Sequence, residues 1–312
     1  MRQPNLCLVG NMRLIRNGLL LLTVLACRDS GKDASDSARG SLPPVFSGGP
    51  TNSTNWDTDA GPLMLVSMGN GADSAAVVLP QITDSTIASI QWTSAPLSGL
   101  VFDLFGRTGK VAGSTAVVAG PPDSALDCYG WPTAGVRTAK AGWRIGFAAG
   151  HAQAIKVDSI EAMPSTDSAA LAASVAQMAA ALPSASDPTF RGLPFRVRSA
   201  YTFRLDSVDV VIADVVRSVN EEANPRLEHL IIIGERPALT TGKYTATYYS
   251  RTAGAEETTQ ATEVLAAVRI GSLRKPAIVV NVEYSDGQRL GLIERTAPGT
   301  WRSIWRSAYT DC

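Results

Sequence analysis

The sequence predicts a mainly β fold of the α+β class: antiparallel meander sheets forming a sandwich or an open barrel, with one helix docked near 166–182. Three observations predict it. Short apolar runs separated by turn residues recur from Leu63 to the end of the chain. Only one stretch has the i, i+4, i+7 spacing of an amphipathic helix. With 312 residues, 45% hydrophobic and 18% charged, the chain has material for a buried core.

The first two strands are read at Leu63-Met64-Leu65-Val66 and Ala75-Ala76-Val77-Val78-Leu79. Val101 to Phe105 and Lys110 to Ala112 flank Gly106-Arg107-Thr108-Gly109, which reads as a hairpin turn. Trp143, Ile145 and Phe147 alternate with Arg144, Gly146 and Ala148; after the turn Gly150-His151-Ala152-Gln153 the run Ile155-Lys156-Val157 returns. That period of two predicts a second, half-buried hairpin.

The helix follows. Ser165 or Thr166 can cap it, Asp167 suits its positive end, and Leu171, Val175, Met178 and Leu182 form one apolar stripe ended by Pro183. Pro183, Pro188 and Gly192 then mark a break. Beyond it Phe195, Val197, Tyr201 and Phe203 alternate with arginines. Val208–Val216, His229–Ile233, Tyr244–Tyr249 and Thr262–Ile270 follow as strands. Ala277–Tyr284 and Arg289–Glu294 flank Asp286-Gly287, a strong hairpin signal, and Pro298-Gly299 turns the chain into Trp301–Tyr309.

The organisation expected is therefore a leader over 1–26, a disordered tether over 27–61, a β-rich region with a C-terminal helix over 62–183, and an antiparallel β region over 184–312 packed on it. The tether reads Ser, Gly, Asp, Asn and Pro, too poor in apolar residues to fold. About 34 such residues reach roughly 30 Å.

The leader has Arg13 and Arg16, the apolar run Leu19–Leu25, and Ala26 before Cys27. Cations, a short apolar stretch and a small residue at the cut make a secretory signal. The run is far short of the roughly 20 residues a bilayer span needs. Met12 heads the compact cationic segment and is the expected translation start. Val24-Leu25-Ala26-Cys27 resembles the lipobox of bacterial lipoproteins. The resemblance covers the leader alone. It implies acylation of Cys27, which becomes the new N-terminus, and partnership with a membrane through that lipid anchor; ordinary cleavage near Ala26 is the alternative. In that family Asp after the cysteine retains the protein in the inner membrane, and Arg28 stands there instead, which points to the outer membrane of the cell envelope.

Of four cysteines, Cys7 leaves with the leader and Cys27 takes lipid. Cys128 and Cys312 remain in an oxidising compartment, where a disulfide between them is expected and a pair of free thiols is the alternative. Six Trp stand out against a low aromatic content of 6%. Trp131 lies close after Cys128, and Trp301 and Trp305 lie shortly before Cys312. Such a group is either a core plug around the disulfide or a candidate surface for a ligand.

Charge excludes some partners. Removing Arg2, Arg13 and Arg16 with the leader takes the 28 cations to 25 against 28 anions, so nothing draws the chain to nucleic acid. Catalytic signals are absent from the sequence. His151 and His229 are the two histidines, read as a solvated turn residue and an edge or strand-end residue. Gly106-Arg107-Thr108-Gly109-Lys110 lacks the spacing of a phosphate loop, and Ser272-Leu273-Arg274-Lys275 precedes Pro276, so the Lys cannot lie one helical turn from the Ser. No catalytic residue, metal ligand or cofactor motif is read. The expectation is an envelope-anchored binding or structural module, contacting an envelope protein or glycan; a hydrolase of an envelope polymer, using carboxylates or an unrecognised Ser, is the alternative.

Overall fold

A strand buried on both faces has no polar side to alternate with, and two stretches of this chain are of that kind. Val210–Val216 and Leu230–Ile233 are apolar almost throughout, and in the computed structural model they are central strands covered above and below. The structure describes residues 56–68, 73–87, 100–118, 130–137, 141–183, 187–219 and 223–311, with the backbone alone over 112–118 and at 311. The fold is mainly β, with three antiparallel sheets and, among the described residues, one α-helix.

The first sheet uses β1 (Met64–Ser67), β2 (Ser74–Val78), β3 (Val101–Gly106), β4 (Gly109–Val118), β5 (Thr133–Arg137) and β6 (Ile145–Ala148). Its pairing order β1-β2-β5-β4-β3-β6 returns to β1, so it closes into a small barrel filled by Leu65, Val77, Phe102, Leu104 and Trp143. The expected hairpin at 106–109 is present, with Gly106 opposite Gly109.

The other two sheets face each other. One is ordered β12-β11-β10-β9-β8, from β8 (Asp158–Ser159), β9 (Arg196–Leu205), β10 (Val208–Val219), β11 (Arg226–Pro237) and β12 (Thr245–Ala255). Its partner is ordered β16-β15-β14-β13-β7, from β7 (Ala152–Ala154), β13 (Ala261–Ile270), β14 (Lys275–Glu283), β15 (Gly287–Ala297) and β16 (Thr300–Arg306), with β17 (Thr310–Asp311) pairing β15. The layer between them holds Phe203, Ile212, Ile231, Ile233, Val264, Ile278, Ile293 and Trp301. The helix α1 (Ser165–Ala181) covers the outer face of the first of these sheets, burying Leu171, Val175, Met178 and Ala179 against Val211, Ala213 and Ile232. The barrel covers the outer face of the second, through Phe105, Ile145, Phe147, Leu265, Val268, Val279 and Trp305. The layers thus run barrel, sheet, sheet, helix.

Three expectations are corrected. The second hairpin does not form: β6 pairs β1 and β3, whereas β7 pairs β13. The alternation is real, but Phe147 buries under the barrel while Ile155 and Val157 bury inside the sandwich, so the turn at Gly150 sends the chain from one sheet to another. Residues 56–61, expected in the tether, belong to the folded body. Trp56 is buried edge-on against Trp305, centroids 5.0 Å apart, and donates from Nε1 to the Gly61 carbonyl at 2.8 Å. Asp57 accepts from the Asp59 amide and caps a short 3-10 turn over Thr58–Ala60. The helix before residue 184 packs on β9 and β10 after it. Finally, Pro164, with no side-chain hydrogen bond, stands at the helix N-cap in place of Ser165 or Thr166.

Candidate functional site

The two sandwich sheets part at one end around polar side chains. Asp214 and Ile231 are opposite each other on β10 and β11, and Ile231 is opposite Ser250 on β12. In the next row Val216, His229 and Thr252 are aligned. His229 is therefore diagonal to both Asp214 and Ser250 on one face. Gln260, Thr262, Val282 and Arg306 come from the facing sheet and its approach, bounding a small cleft of about 30 Å³, room for one or two waters, that is connected to solvent.

Asp214 is 6% exposed and His229 is 7% exposed. His229 Nδ1 is 3.6 Å from Asp214 Oδ1, too long for a hydrogen bond, and this nitrogen has no hydrogen-bond partner. A buried imidazole is normally paired. Arg198 Nη1 approaches Asp214 Oδ2 at 3.6 Å. A bulge in β9 allows this: Asp214 is opposite Ser199 and Val215 is opposite Val197, so Arg198 is the extra residue. Arg306 Cζ-bearing guanidinium stands near Tyr248, and among the described residues Arg306 meets no carboxylate at ion-pair distance. Burial pushes the Tyr248 phenol up to about 12, against the opposing pulls of Arg306 and of a hydrogen bond with Ser250. Thr252 donates its hydroxyl to the Gln260 carbonyl at 3.1 Å.

The result is a cleft lined by one carboxylate, one guanidinium, an imidazole with an unused nitrogen, and several hydroxyl and amide groups, with exposed Arg198 reaching Asp214 from outside the lining. Such a lining suits a polar ligand group that both donates and accepts hydrogen bonds. Among the described residues no group of three or more His, Cys, Asp or Glu is placed to hold a metal ion.

The residues singled out from sequence fare differently. Cys27, Cys128 and Cys312 lie outside the described residues. Trp131, Trp301 and Trp305 are 8%, 1% and 0% exposed, so they are core and offer no ligand surface. Nor do they converge. Trp131 and Trp305 share the layer between barrel and sheet, while Trp301 faces the sandwich interior. The bulge at Ile304, skipped between Trp305 opposite Leu292 and Ser303 opposite Ile293, turns the two β16 indoles to opposite faces. His229 is neither an edge nor a strand-end residue; it is inside β11, which has a neighbour on each side, and is buried. His151 is the turn residue expected, its Nδ1 2.7 Å from the Asp59 carbonyl. At the 106–109 turn Arg107 pairs with Glu263 and Lys110 with Asp103, so the turn's own cations are already used.

Sequence reading missed Asp214 and Ser250. The usable signal was Asp214 itself, a carboxylate in the middle of a strand whose neighbours are apolar on both faces. Comparison with known protein families, with curated proteins and with solved structures finds nothing that matches this chain.

Proposed function

We propose that this chain is an exported lipoprotein of the bacterial cell envelope whose folded body binds an envelope ligand in the cleft at the His229 end of the sandwich. The leader supports the location: Val24-Leu25-Ala26-Cys27 follows a short apolar run, and Arg28 stands where an inner-membrane retention residue would be. One observation carries the binding role. A nine-tenths-buried imidazole keeps a nitrogen unpaired inside a solvent-connected polar cleft, an expense in stability that a purely structural body has no use for. A disulfide between Cys128 and Cys312 fits this picture, since Trp131 and Ala308, close to each cysteine in sequence, bury in the same core layer.

The location is tested by palmitate labelling of the full chain and of Cys27→Ser: the parent incorporates label and stays with membranes, and the variant does neither. The binding role is tested by affinity capture from native envelope, with the intact chain beside Thr262→Trp, which fills the cleft. A ligand held by the first and lost by the second supports the reading; identical captures overturn it.

A second reading has its own observation. Asp214, His229 and Ser250 line one cleft, with His229 between the other two, the order in which a carboxylate, a base and a hydroxyl nucleophile act in acyl transfer. Labelling by a fluorophosphonate probe that disappears in Ser250→Ala supports a hydrolase. No labelling leaves Ser250 as a binding hydroxyl.

A further inference from the structure

We infer that the end of the sandwich opposite the His229 cleft is a membrane-contact surface whose loop tips enter a phospholipid bilayer; this rests on the lipid anchor at Cys27 proposed above. Among the described residues four large apolar side chains are exposed: Leu239 (85%), Leu273 (75%), Met68 (44%) and Val101 (40%). Scattered singly, such side chains need no explanation. Three of these share one end. Leu239 is in the β11–β12 loop, where the Ala238 amide donates to the Ser207 carbonyl at 2.8 Å. Asp206, next to Ser207, faces Arg269 Nη2 at 3.3 Å, and Arg269 leads into the Gly271–Arg274 turn that carries Leu273. Arg274 Nη2 donates to the Gly150 carbonyl at 3.1 Å, and next to Gly150 the Ala149 amide donates to the Val101 carbonyl at 2.9 Å. Met68 alone lies past the other end of β1.

Two further observations say what covers this end. Leu239 has φ 62°, a left-handed backbone that bulky side chains rarely adopt and that Gly or Asn takes at little cost. The strain is kept although the side chain gains no burial within the protein, and a lipid phase would supply that burial. The second observation is where the chain enters. The Asp57 carboxylate lies against Gly271, and the Asp59 carbonyl is 2.7 Å from His151 Nδ1, so the described body starts at this same end. With lipid on Cys27, residues 27–55 lie between the bilayer and Trp56. About 29 residues of such polar composition reach roughly 30 Å, which holds the body at high effective concentration beside the lipid. A contact too weak to recruit the body is then enough to orient it. Lys243 and Arg274, in the two leucine loops, are exposed and meet no carboxylate at ion-pair distance among the described residues. Asp57 and Asp59 offset them at the same end, so apolar insertion and not net charge carries the contact. His229 is near the other end of β11, about 30 Å from Leu239 at ~3.3 Å per residue, so the cleft faces away from the bilayer.

The test uses the full lipidated chain in vesicles of phosphatidylethanolamine and phosphatidylglycerol. An environment-sensitive fluorophore is attached at Thr241→Cys, at Ser272→Cys or, as the control, at Thr108→Cys, with the parent chain setting the background from its own cysteines. Thr108 is exposed at the opposite end, in the β3–β4 turn that reaches the start of β13 through Arg107 and Glu263. Lipids with a nitroxide on the acyl chain quench only a fluorophore that enters the bilayer. Quenching of at least about twofold is expected at positions 241 and 272, and none at 108. Leu239→Asn combined with Leu273→Ser should bring 241 and 272 down to the level of 108 while the chain stays on the vesicles. Both side chains are exposed and Asn suits φ 62°, so Leu239→Asn should unfold at or above the temperature of the parent, which separates a lost contact from a lost fold. Equal quenching at all three positions, none at 241 and 272, or quenching that survives the double variant would each overturn the inference with the anchor intact. A chain that does not float with the vesicles overturns the anchor reading, and the inference with it.

Discussion

The strand β11 carries an inward polar residue near each end of its apolar middle, and the two are handled in opposite ways. His229 and Glu235 flank Ile231 and Ile233 on the same face, about 20 Å apart at ~3.3 Å per residue. At one end Glu235 accepts from Arg295 Nε and Nη2 at 2.7 and 2.8 Å and from Trp301 Nε1 at 2.7 Å. Sheet is stitched to sheet, and every strong group has a partner. At the other end Asp214 has cationic neighbours only at 3.6 Å, His229 has an unpaired nitrogen, and the sheets part. The same architecture has one end built for stability and one end left open, and proteins accept such local cost mainly where a ligand completes the group.

The largest test of that contrast is Glu235→Ala. It strands a largely buried guanidinium and a buried indole N–H together, and removing one partner of a buried pair is strongly destabilising. The expected loss is about 3 kcal/mol, a fall of roughly 6–12 °C in Tm for a body of this size, read by thermal or urea unfolding. A loss below about 1 kcal/mol would erase the difference between the ends.

Acid provides the next. Burial alone would raise the Glu235 carboxyl, but the Arg295 and Trp301 hydrogen bonds outweigh it and hold the group below its ordinary value of 4.5. A carboxyl lowered by folding stabilises above its unfolded value, and that contribution fades as pH drops through the folded one. The stability gap between the parent and Glu235→Gln should therefore be full at pH 6–7 and shrink steadily below about pH 4.5. Comparing the two chains matters, because Asp84 and Asp103 are lowered as well and fade in both. A gap that stays constant to pH 3 would mean the effect of Glu235 is packing and not charge.

How much of this was legible beforehand depended on the range of the signal. The helix stripe Leu171, Val175, Met178 and Leu182 is local, and all four residues are buried. The hairpins at 106–109 and 286–287 are local too, and Tyr284 donates to the Gly287 carbonyl at 2.8 Å as such a turn requires. Continuous runs such as Val210–Val216 announce a strand but not which neighbour covers each face, so the division into barrel, sandwich and helix layers was out of reach. The alternation around 145–157 shows the same limit: period two fixes strand and face, and says nothing about which sheet the next strand joins. The cleft was least legible. Asp214, His229 and Ser250 come together through the register of three strands, Arg306 through sheet stacking, and Arg198 through a bulge that no composition signals. Trp56 was hidden for a simpler reason: it is a lone aromatic in a polar segment, and its partner Trp305 lies at the far end of the chain.

A smaller effect with the opposite sign comes from His229→Leu. The change removes an unpaired buried nitrogen and adds an apolar side chain beside Ile231 and Val282. A gain of about 1 kcal/mol is expected, together with loss of whatever the cleft captures, the trade found where a site is held at the expense of stability. A loss of stability of that size would show that the imidazole is a structural member of the core and would bring the two ends of β11 into line with each other.

The smallest change is expected from Asp214→Asn. Glu235 is held by three hydrogen bonds of 2.8 Å or less, so its charge matters. Asp214 makes none with Arg198 or His229, and at 3.6 Å from a half-exposed guanidinium its pairing is screened by water. An amide of the same shape loses that weak attraction and sheds the cost of a desolvated charge, two terms of similar size. Urea unfolding should place the variant within about 0.5 kcal/mol of the parent. A loss approaching that of Glu235→Ala would mean that Asp214 already anchors its end of the sandwich and that the cleft is a gap in packing, not a site awaiting a ligand.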